Sequence, residues 1–143
     1  MKLKNLKMEQ VAFANFAYTK YSLKYTLDSL QKIGAHAIEF YCADPHFCLE
    51  DCTLEDMKVV KKMLDERDLH VVNVCPENCT YPMNLASKNI ATRARTFKNY
   101  VNAIHTASEW GCPHVLIFPG FALFDESYED AWKYGIDAMT SLA

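Results

Sequence analysis

Residues 69–84 read LHVVNVCPENCTYPMN. Leu69 to Cys75 form a largely apolar, β-branched run of strand length that stops at Pro76. A run of this kind is read as a strand buried on both faces, as in a parallel sheet. After it come a carboxylate, Glu77, an aromatic, Tyr81, and an amide, Asn84, in a loop stiffened by Pro76 and Pro82. In parallel α/β folds the loops that follow strand C-termini carry function. The stretch is therefore read as a core strand feeding one wall of a polar pocket.

Working outward, the same strand-then-helix pattern recurs. Val11 to Phe16 is a short apolar strand, and Ala37 to Tyr41 is another. Ser22 caps a helix whose Leu23, Leu27, Leu30 and Ile33 fall three or four apart, and Gly34 ends it. Thr53 caps a helix with Met57, Val60 and Leu64 on one face, and Asp56 stands where a Glu or Gln would complete a capping box. Beyond the quoted loop, Ile90, Ala94, Phe97, Val101 and Ile104 are spaced 4, 3, 4, 3, which predicts a long helix closed by Gly111. His114 to Phe118 is a fourth strand, ended by Pro119-Gly120, and Ser127 caps a last helix with Ala131, Trp132, Ile136 and Met139.

The chain is thus α/β, four βα units with parallel strands, and residues 1–143 form one domain. Four units make half of a (β/α)8 barrel, which typically takes about 250 residues. An open four-stranded sheet fits the same pattern. The first βα turn, Ala17 to Ser22, has no glycine, and the whole chain has only four. Neither a dinucleotide fingerprint nor a P-loop can be built from that.

Composition narrows the function classes. The 143 residues are 50% hydrophobic and 23% charged, with net charge −3. Basic residues cluster only at Lys2, Lys4 and Lys7, so no nucleic-acid partner is expected. No apolar run approaches the roughly 20 residues of a membrane helix, so no membrane partner is expected. The basic start has no apolar core behind it and is not a signal peptide, which makes a cytoplasmic location the expectation. There the six cysteines are expected as thiols. A structural zinc site from His46, Cys48, Cys52, Cys75 and Cys79 is the alternative, although their C-x3-C spacing departs from the usual C-x2-C.

Among the histidines, His36, His70 and His114 begin strands, and His105 lies inside a helix. All are read as surface or structural. His46 alone follows the C-terminal end of a strand, in Asp44-Pro45-His46-Phe47, and is a site candidate. Glu39 sits within a strand between Ile38 and Phe40, where a carboxylate is costly unless paired or hydrogen-bonded. It is either a site group or a structural carboxylate bonded to a neighbouring strand. Glu77, Tyr81 and Asn84 are candidates for hydrogen-bonding a polyol, with plain loop residues as the alternative. Phe16, Phe40, Tyr41, Phe118 and Phe121 are read as core or pocket lining. No Ser-His-Asp or Cys-His arrangement stands out.

The series Gly34-Ala35-His36-Ala37-Ile38-Glu39, Asp44-Pro45-His46, and Pro76-Glu77 with Tyr81-Pro82-Met83-Asn84 resembles the sugar isomerase and epimerase family with a xylose isomerase-like barrel. The resemblance runs from about Val11 to Ala143 and is most specific in the Pro-Glu and Tyr-Pro-x-Asn loop. It implies the N-terminal half of a (β/α)8 TIM barrel, strands one to four with their helices. It also implies a divalent metal (Mn, Co, Mg or Zn) that holds a ketose, and two carboxylates that move a proton on opposite faces of the carbon beside the carbonyl. The resemblance places those carboxylates and the metal ligands on strands five to eight, which this sequence does not reach. No catalytic or metal residue is therefore carried over, and this chain alone is expected to bind no metal. Carried over are substrate-side candidates only: Glu39, His46, Glu77, Tyr81 and Asn84. A DNA-repair endonuclease branch shares the barrel but has a metal-binding histidine where this chain has Phe118.

The expected function is thus the N-terminal part of a divalent-metal-dependent sugar epimerase or isomerase, inactive alone. The alternative is a non-enzymatic half-barrel that binds a sugar or dimerises. A third, ranked below both, is a small enzyme whose dimer builds a metal site from Glu39, His46 and Glu77. The partners expected are a small sugar or sugar derivative and a second copy joined through open sheet edges.

Overall fold

A computed structural model of the chain describes residue 7 and residues 10–78 and 83–143. The elements run β1 (Ala12–Ala14), a 3-10 turn (Asn15–Tyr18), α1 (Leu23–Lys32), β2 (Ala37–Cys42), α2 (Leu54–Asp65), β3 (His70–Pro76), α3 (Ile90–Trp110) and α4 (Tyr128–Leu142).

The helices start and stop where local chemistry directs. Ser22 accepts from the Tyr25 amide, and Ser127 from that of Asp130. Thr53 and Asp56 close both bonds of a capping box, so the shorter Asp serves as well as Glu here. Gly34 and Gly111 take positive φ (78° and 67°) just past α1 and α3, as helix-ending glycines do.

β1, β2 and β3 pair in chain order, all parallel. Ile38 faces Val71 and Glu39 faces Asn73, so Val72 is an extra residue that shifts the register. One core cluster joins Leu27 and Leu30 of α1, Val60 and Leu64 of α2, and Ala103 and Trp110 of α3 to Ile38, Phe40 and Val74 of the sheet. The three helices therefore cover one side of a sheet whose strand order follows the chain. That is the arrangement of a barrel wall, not of a doubly wound open sheet. Phe40 centres the core, edge-on to Trp110 at 4.8 Å and to Phe47 at 6.4 Å. The Trp110 indole N–H reaches the Met57 carbonyl at 2.9 Å.

One expectation is corrected, and two helices show a packing that spacing alone does not give. The fourth strand, 114–118, is reduced to one parallel bridge, Val74 to Val115. Val74 donates to the His114 carbonyl and accepts from the Leu116 amide. The next donor on β3 would be residue 76, a proline with no N–H, and the Phe118 amide goes instead to the Tyr100 hydroxyl at 3.0 Å. In α3 the buried side is Thr96, Asn99, Tyr100, Ala103, Thr106, Ala107 and Trp110, whereas Ile90 and Ile104 are exposed. Its apolar stripe turns toward the groove beside α4, lined by Ile90, Ala94 and Phe97. In α4 only Ala131 and Gly135 are buried, and Trp132 and Ile136 face outward. No helix among the described residues is long and apolar enough to cross a membrane.

Two predictions follow from this packing. Phe40→Ala removes a side chain with no exposed surface, and should cost about 3–5 kcal/mol in denaturant unfolding. Hydrogen bonds from Lys24 and Arg67 hold Asp28 below the ordinary carboxylate range, and those from Thr53 do the same for Asp56. Both carboxyls are depressed in the folded state, so their stabilisation is complete above about pH 4 and fades as pH falls through the lowered values. Asp28→Asn with Asp56→Asn should flatten the fall of thermal midpoint below about pH 4.

Candidate functional site

Alternation along the strands sends every second side chain away from the helices. With Ile38, Phe40 and Val74 in the core, Glu39, Tyr41, Asn73 and Cys75 point to the opposite face of β2 and β3. All four are half-buried. Asn73 Nδ2 donates to Glu39 Oε2 at 2.8 Å, and this bond accounts for one oxygen of the strand carboxylate. Among the described residues no hydrogen bond reaches Glu39 Oε1. The Tyr41 hydroxyl donates to Glu77 Oε2, which ties the acid after β3 back to β2. Phe16 lies edge-on to Tyr41 at 5.1 Å and is 62% exposed. The face thus carries a row of carboxylate, amide, phenol and carboxylate beside an open aromatic ring. Such a row can exchange hydrogen bonds with several hydroxyls while the ring meets a C–H surface.

His46 and Asn84 sit elsewhere and do different work. His46 is 8% exposed and turned inward. Asn15 Nδ2 donates to its Nδ1 at 2.8 Å, and its Nε2 meets the Tyr21 carbonyl at 3.0 Å and Thr26 Oγ1 at 3.3 Å. Thr26 Oγ1 donates to the Ser22 carbonyl, so in this network Nδ1 accepts and Nε2 donates. Asn15 also exchanges two bonds with the Tyr41 backbone (2.7 and 2.9 Å), standing in for the strand residue that β1 lacks. The amide and histidine together set the height of Tyr41 on the sheet.

Asn84 is a clamp between loops. Its Oδ1 accepts from the Ala86 and Phe121 amides (3.0 and 3.1 Å), its Nδ2 donates to the Phe121 carbonyl (2.9 Å), and its own amide goes to Thr96 Oγ1. Gly120 has φ 108°, and a Cβ there would fall 2.3 Å from Asn84 Oδ1. A second clamp is the buried Tyr100 hydroxyl, which donates to Asn78 Oδ1 at 2.7 Å and accepts from the Phe118 amide. Tyr81 lies outside the described residues, as does Cys79.

The structure therefore brings Glu39 and Glu77 onto one face through Asn73 and Tyr41, and leaves His46 and Asn84 behind the loops. Reasoning from sequence missed Asn73, Asn15 and Tyr100. The signal for Asn73 was the one that marked Glu39: a polar residue inside an apolar strand.

Among the described residues no three His, Cys, Asp or Glu side chains come together as a metal site. The His46 ring nitrogens are engaged by protein groups, and Cys42, Cys48 and Cys52 are free thiols. Burial pushes the Cys42 thiol well up and the Cys52 thiol up, the latter aided by Asp56, which disfavours the thiolate a metal needs. The described residues do not fit a metal centre by themselves.

The sequence family described as xylose isomerase-like TIM barrel matches residues 27–143. Several solved structures superpose on the chain. 3-Keto-D-glucoside 4-epimerase from E. coli has a TM-score of 0.70 and 15% identity, over 95% of this chain and 51% of that one. L-Ribulose 3-epimerase gives 0.69 and 21%, over 93% and 44%. D-Psicose 3-epimerase from Clostridium cellulolyticum H10, with D-tagatose, gives 0.68 and 13%, over 92% and 46%. At these identities the likeness shows the fold. The chain spans about half the length of the structures it matches. No curated protein sequence matches.

The clamps give a direct prediction. Asn84→Ala strands the buried Ala86 amide, at about 1–3 kcal/mol for a group left unpaired, and the part-buried Phe121 amide and carbonyl, which cost less. Chemical denaturation should show a loss above about 2 kcal/mol, while Asn102→Ala, which removes one bond to the Leu49 carbonyl, should cost clearly less.

Proposed function

The chain belongs to the xylose isomerase-like TIM barrel family, and from that membership we propose that it supplies the sugar-binding N-terminal half of an epimerase or isomerase. The observation that carries the reading is the Glu39–Asn73 and Tyr41–Glu77 pairing on the open face of a parallel sheet. Glu39 Oε1 would accept from one sugar hydroxyl, and Glu77 from another. Phe16 would lie against the sugar's C–H surface. Asn73 and Tyr41 hold the two carboxylates, and Asn15 with His46 holds Tyr41. Tyr81, carried over from the family resemblance, would also hydrogen-bond the sugar, and Asn84 would keep its loop in place. The Pro-Glu and Tyr-Pro-x-Asn loop resembles that of fructoselysine 3-epimerase, which favours a ketose or ketose derivative.

The reaction we propose for the whole protein is proton transfer at the carbon beside a ketose carbonyl. The divalent metal implied by family resemblance would be held, with the proton-transferring carboxylates, by residues beyond this chain. This half alone would bind sugar without turning it over. It would reside in the cytoplasm. The second reading, a non-enzymatic half-barrel that associates with itself, is favoured by the large apolar side chains left exposed on α4.

The test is titration of an isotopically labelled chain with D-tagatose or D-fructose, the sugars named with two of the structural relatives. The Asn73 side-chain amide resonances should shift. Glu39→Gln should weaken binding about tenfold or more, the scale of one hydrogen bond to a charged group. No turnover of the ketose should be detected. Shifts confined to α4, or none at all, would remove the sugar site, and epimerisation by this chain alone would remove the division of labour.

A further inference from the structure

We propose that His46 is a pH-sensitive latch: a second proton on its ring frees Asn15 from Tyr41 and loosens the sheet face that carries Tyr41 and Glu77. The step from that face to sugar affinity rests on the sugar-wall reading above; the latch itself does not.

The geometry leaves Asn15 one orientation. Its Oδ1 accepts from the Tyr41 amide at 2.7 Å, and its Nδ2 donates to the Tyr41 carbonyl at 2.9 Å. Turning the side-chain amide over would set N–H against N–H and oxygen against oxygen. The second Nδ2 proton therefore points at His46 Nδ1, 2.8 Å away, and that nitrogen has to accept. On the other side of the ring Nε2 faces the Tyr21 carbonyl at 3.0 Å, which needs a donor. Thr26 Oγ1 gives its own proton to the Ser22 carbonyl, so it too can only accept from Nε2. One ring proton thus satisfies every contact, and two do not. A proton added at Nδ1 faces an Asn15 N–H, and the ring is only 8% exposed. Two donors left face to face in a buried site are destabilising.

A second place for the charged ring lies beside it. His46 lines a cavity of about 300 Å³ together with Asp44 and Asp51 of its own loop and Asp56 of α2. The other titratable groups there are Cys48 and Cys52. The ring's hydrogen-bond partners from the 3-10 turn and from α1 and its start are Asn15, Thr26 and the Tyr21 carbonyl, none of them charged. Nearby carboxylates favour an imidazolium over an imidazole. The fold therefore provides two arrangements: a ring with one proton held by Asn15, and a charged ring turned toward the acids. Histidine is the side chain that ordinarily changes charge between about pH 5 and pH 8. When the ring turns, Asn15 loses the acceptor that fixes it, and its grip on the Tyr41 backbone weakens. The Tyr41 hydroxyl donates to Glu77, and Phe16 lies against the Tyr41 ring, so both follow. Sugar binding is then strongest with one proton on His46 and weakens as pH falls.

The test is an NMR titration of the full, isotopically labelled chain from about pH 8 to about pH 5.5, first without sugar. The His46 ring nitrogens, the Asn15 side-chain amide and the Tyr41 backbone amide should shift with one common midpoint. In His46→Gln the Asn15 and Tyr41 signals should stay flat. In His105→Gln, on the exposed side of α3, they should shift as in the wild type. With D-tagatose present, the wild-type dissociation constant should rise about tenfold or more over the same range. It should stay constant in His46→Gln, which separates the imidazole from the carboxylates of Glu39 and Glu77. A His46 ring that keeps one proton throughout, or a Tyr41 amide that does not follow it, overturns the latch whatever the sugar does. Tyr41 following His46 while sugar affinity stays constant overturns the coupling. Tyr41 following His46 with no sugar bound at any pH supports the latch and overturns the sugar wall. The wild-type titration needs no variant, so it decides the matter should His46→Gln fail to fold.

Discussion

A parallel sheet needs cover on both faces, and the helices of this chain cover one. That asymmetry governs the rest of the molecule. On the helix side Phe40, Ile38 and Val74 close against Trp110, Leu30 and Leu64 with almost no exposed surface. On the other side the same strands place Glu39, Tyr41, Asn73 and Cys75 in a half-buried row. The strand periodicity that drives Phe40 into the core also drives Glu39 and Tyr41 away from it. Core and site are thus two consequences of one alternation.

Side-chain amides finish what the backbone ladder leaves undone. β1 ends after three residues, and Asn15 continues its pairing by trading bonds with the Tyr41 backbone. The fourth strand stops at one bridge, and Tyr100 takes up the Phe118 backbone in its place. Asn84 binds both backbone groups of Phe121, at a point where Gly120 alone admits the close approach. These joints lie where the strands give way to loops, so the positions of the site loops are fixed by part-buried hydrogen bonds. Losing one such bond would leave partly shielded partners without their protein hydrogen bond.

Much of this was legible in the sequence because it is local. Ser22, Thr53, Gly34 and Gly111 act within a few residues of themselves, and each ends or begins a helix where its chemistry predicts. The strand-helix alternation followed from that, and the half-barrel from the family resemblance. What escaped depends on pairings distant in sequence. The fourth strand reads as well as the others, and nothing within it shows that Pro76 lacks the N–H its ladder needs. The spacing of Ile90, Ala94 and Phe97 predicts the helix α3 but not its packing side: that stripe meets the groove beside α4, while Thr96, Ala103 and Trp110 meet the core. Glu39 was seen as a polar intruder, but its partner Asn73 is set by the extra residue Val72, which no periodicity shows. His46 was singled out for its place after a strand. Its inward turn depends on Asn15 and Thr26, which are 31 and 20 residues away.

The central claim is that the face opposite Trp110 is a sugar-binding wall. A crystal structure of the chain soaked in D-tagatose tests it most directly. The account predicts sugar density over β2 and β3, with a hydroxyl within hydrogen-bond reach of Glu39 Oε1 and Phe16 against the ring. Density confined to the helix side, or a Glu39–Asn73 face sealed by the chain's own side chains, would contradict it.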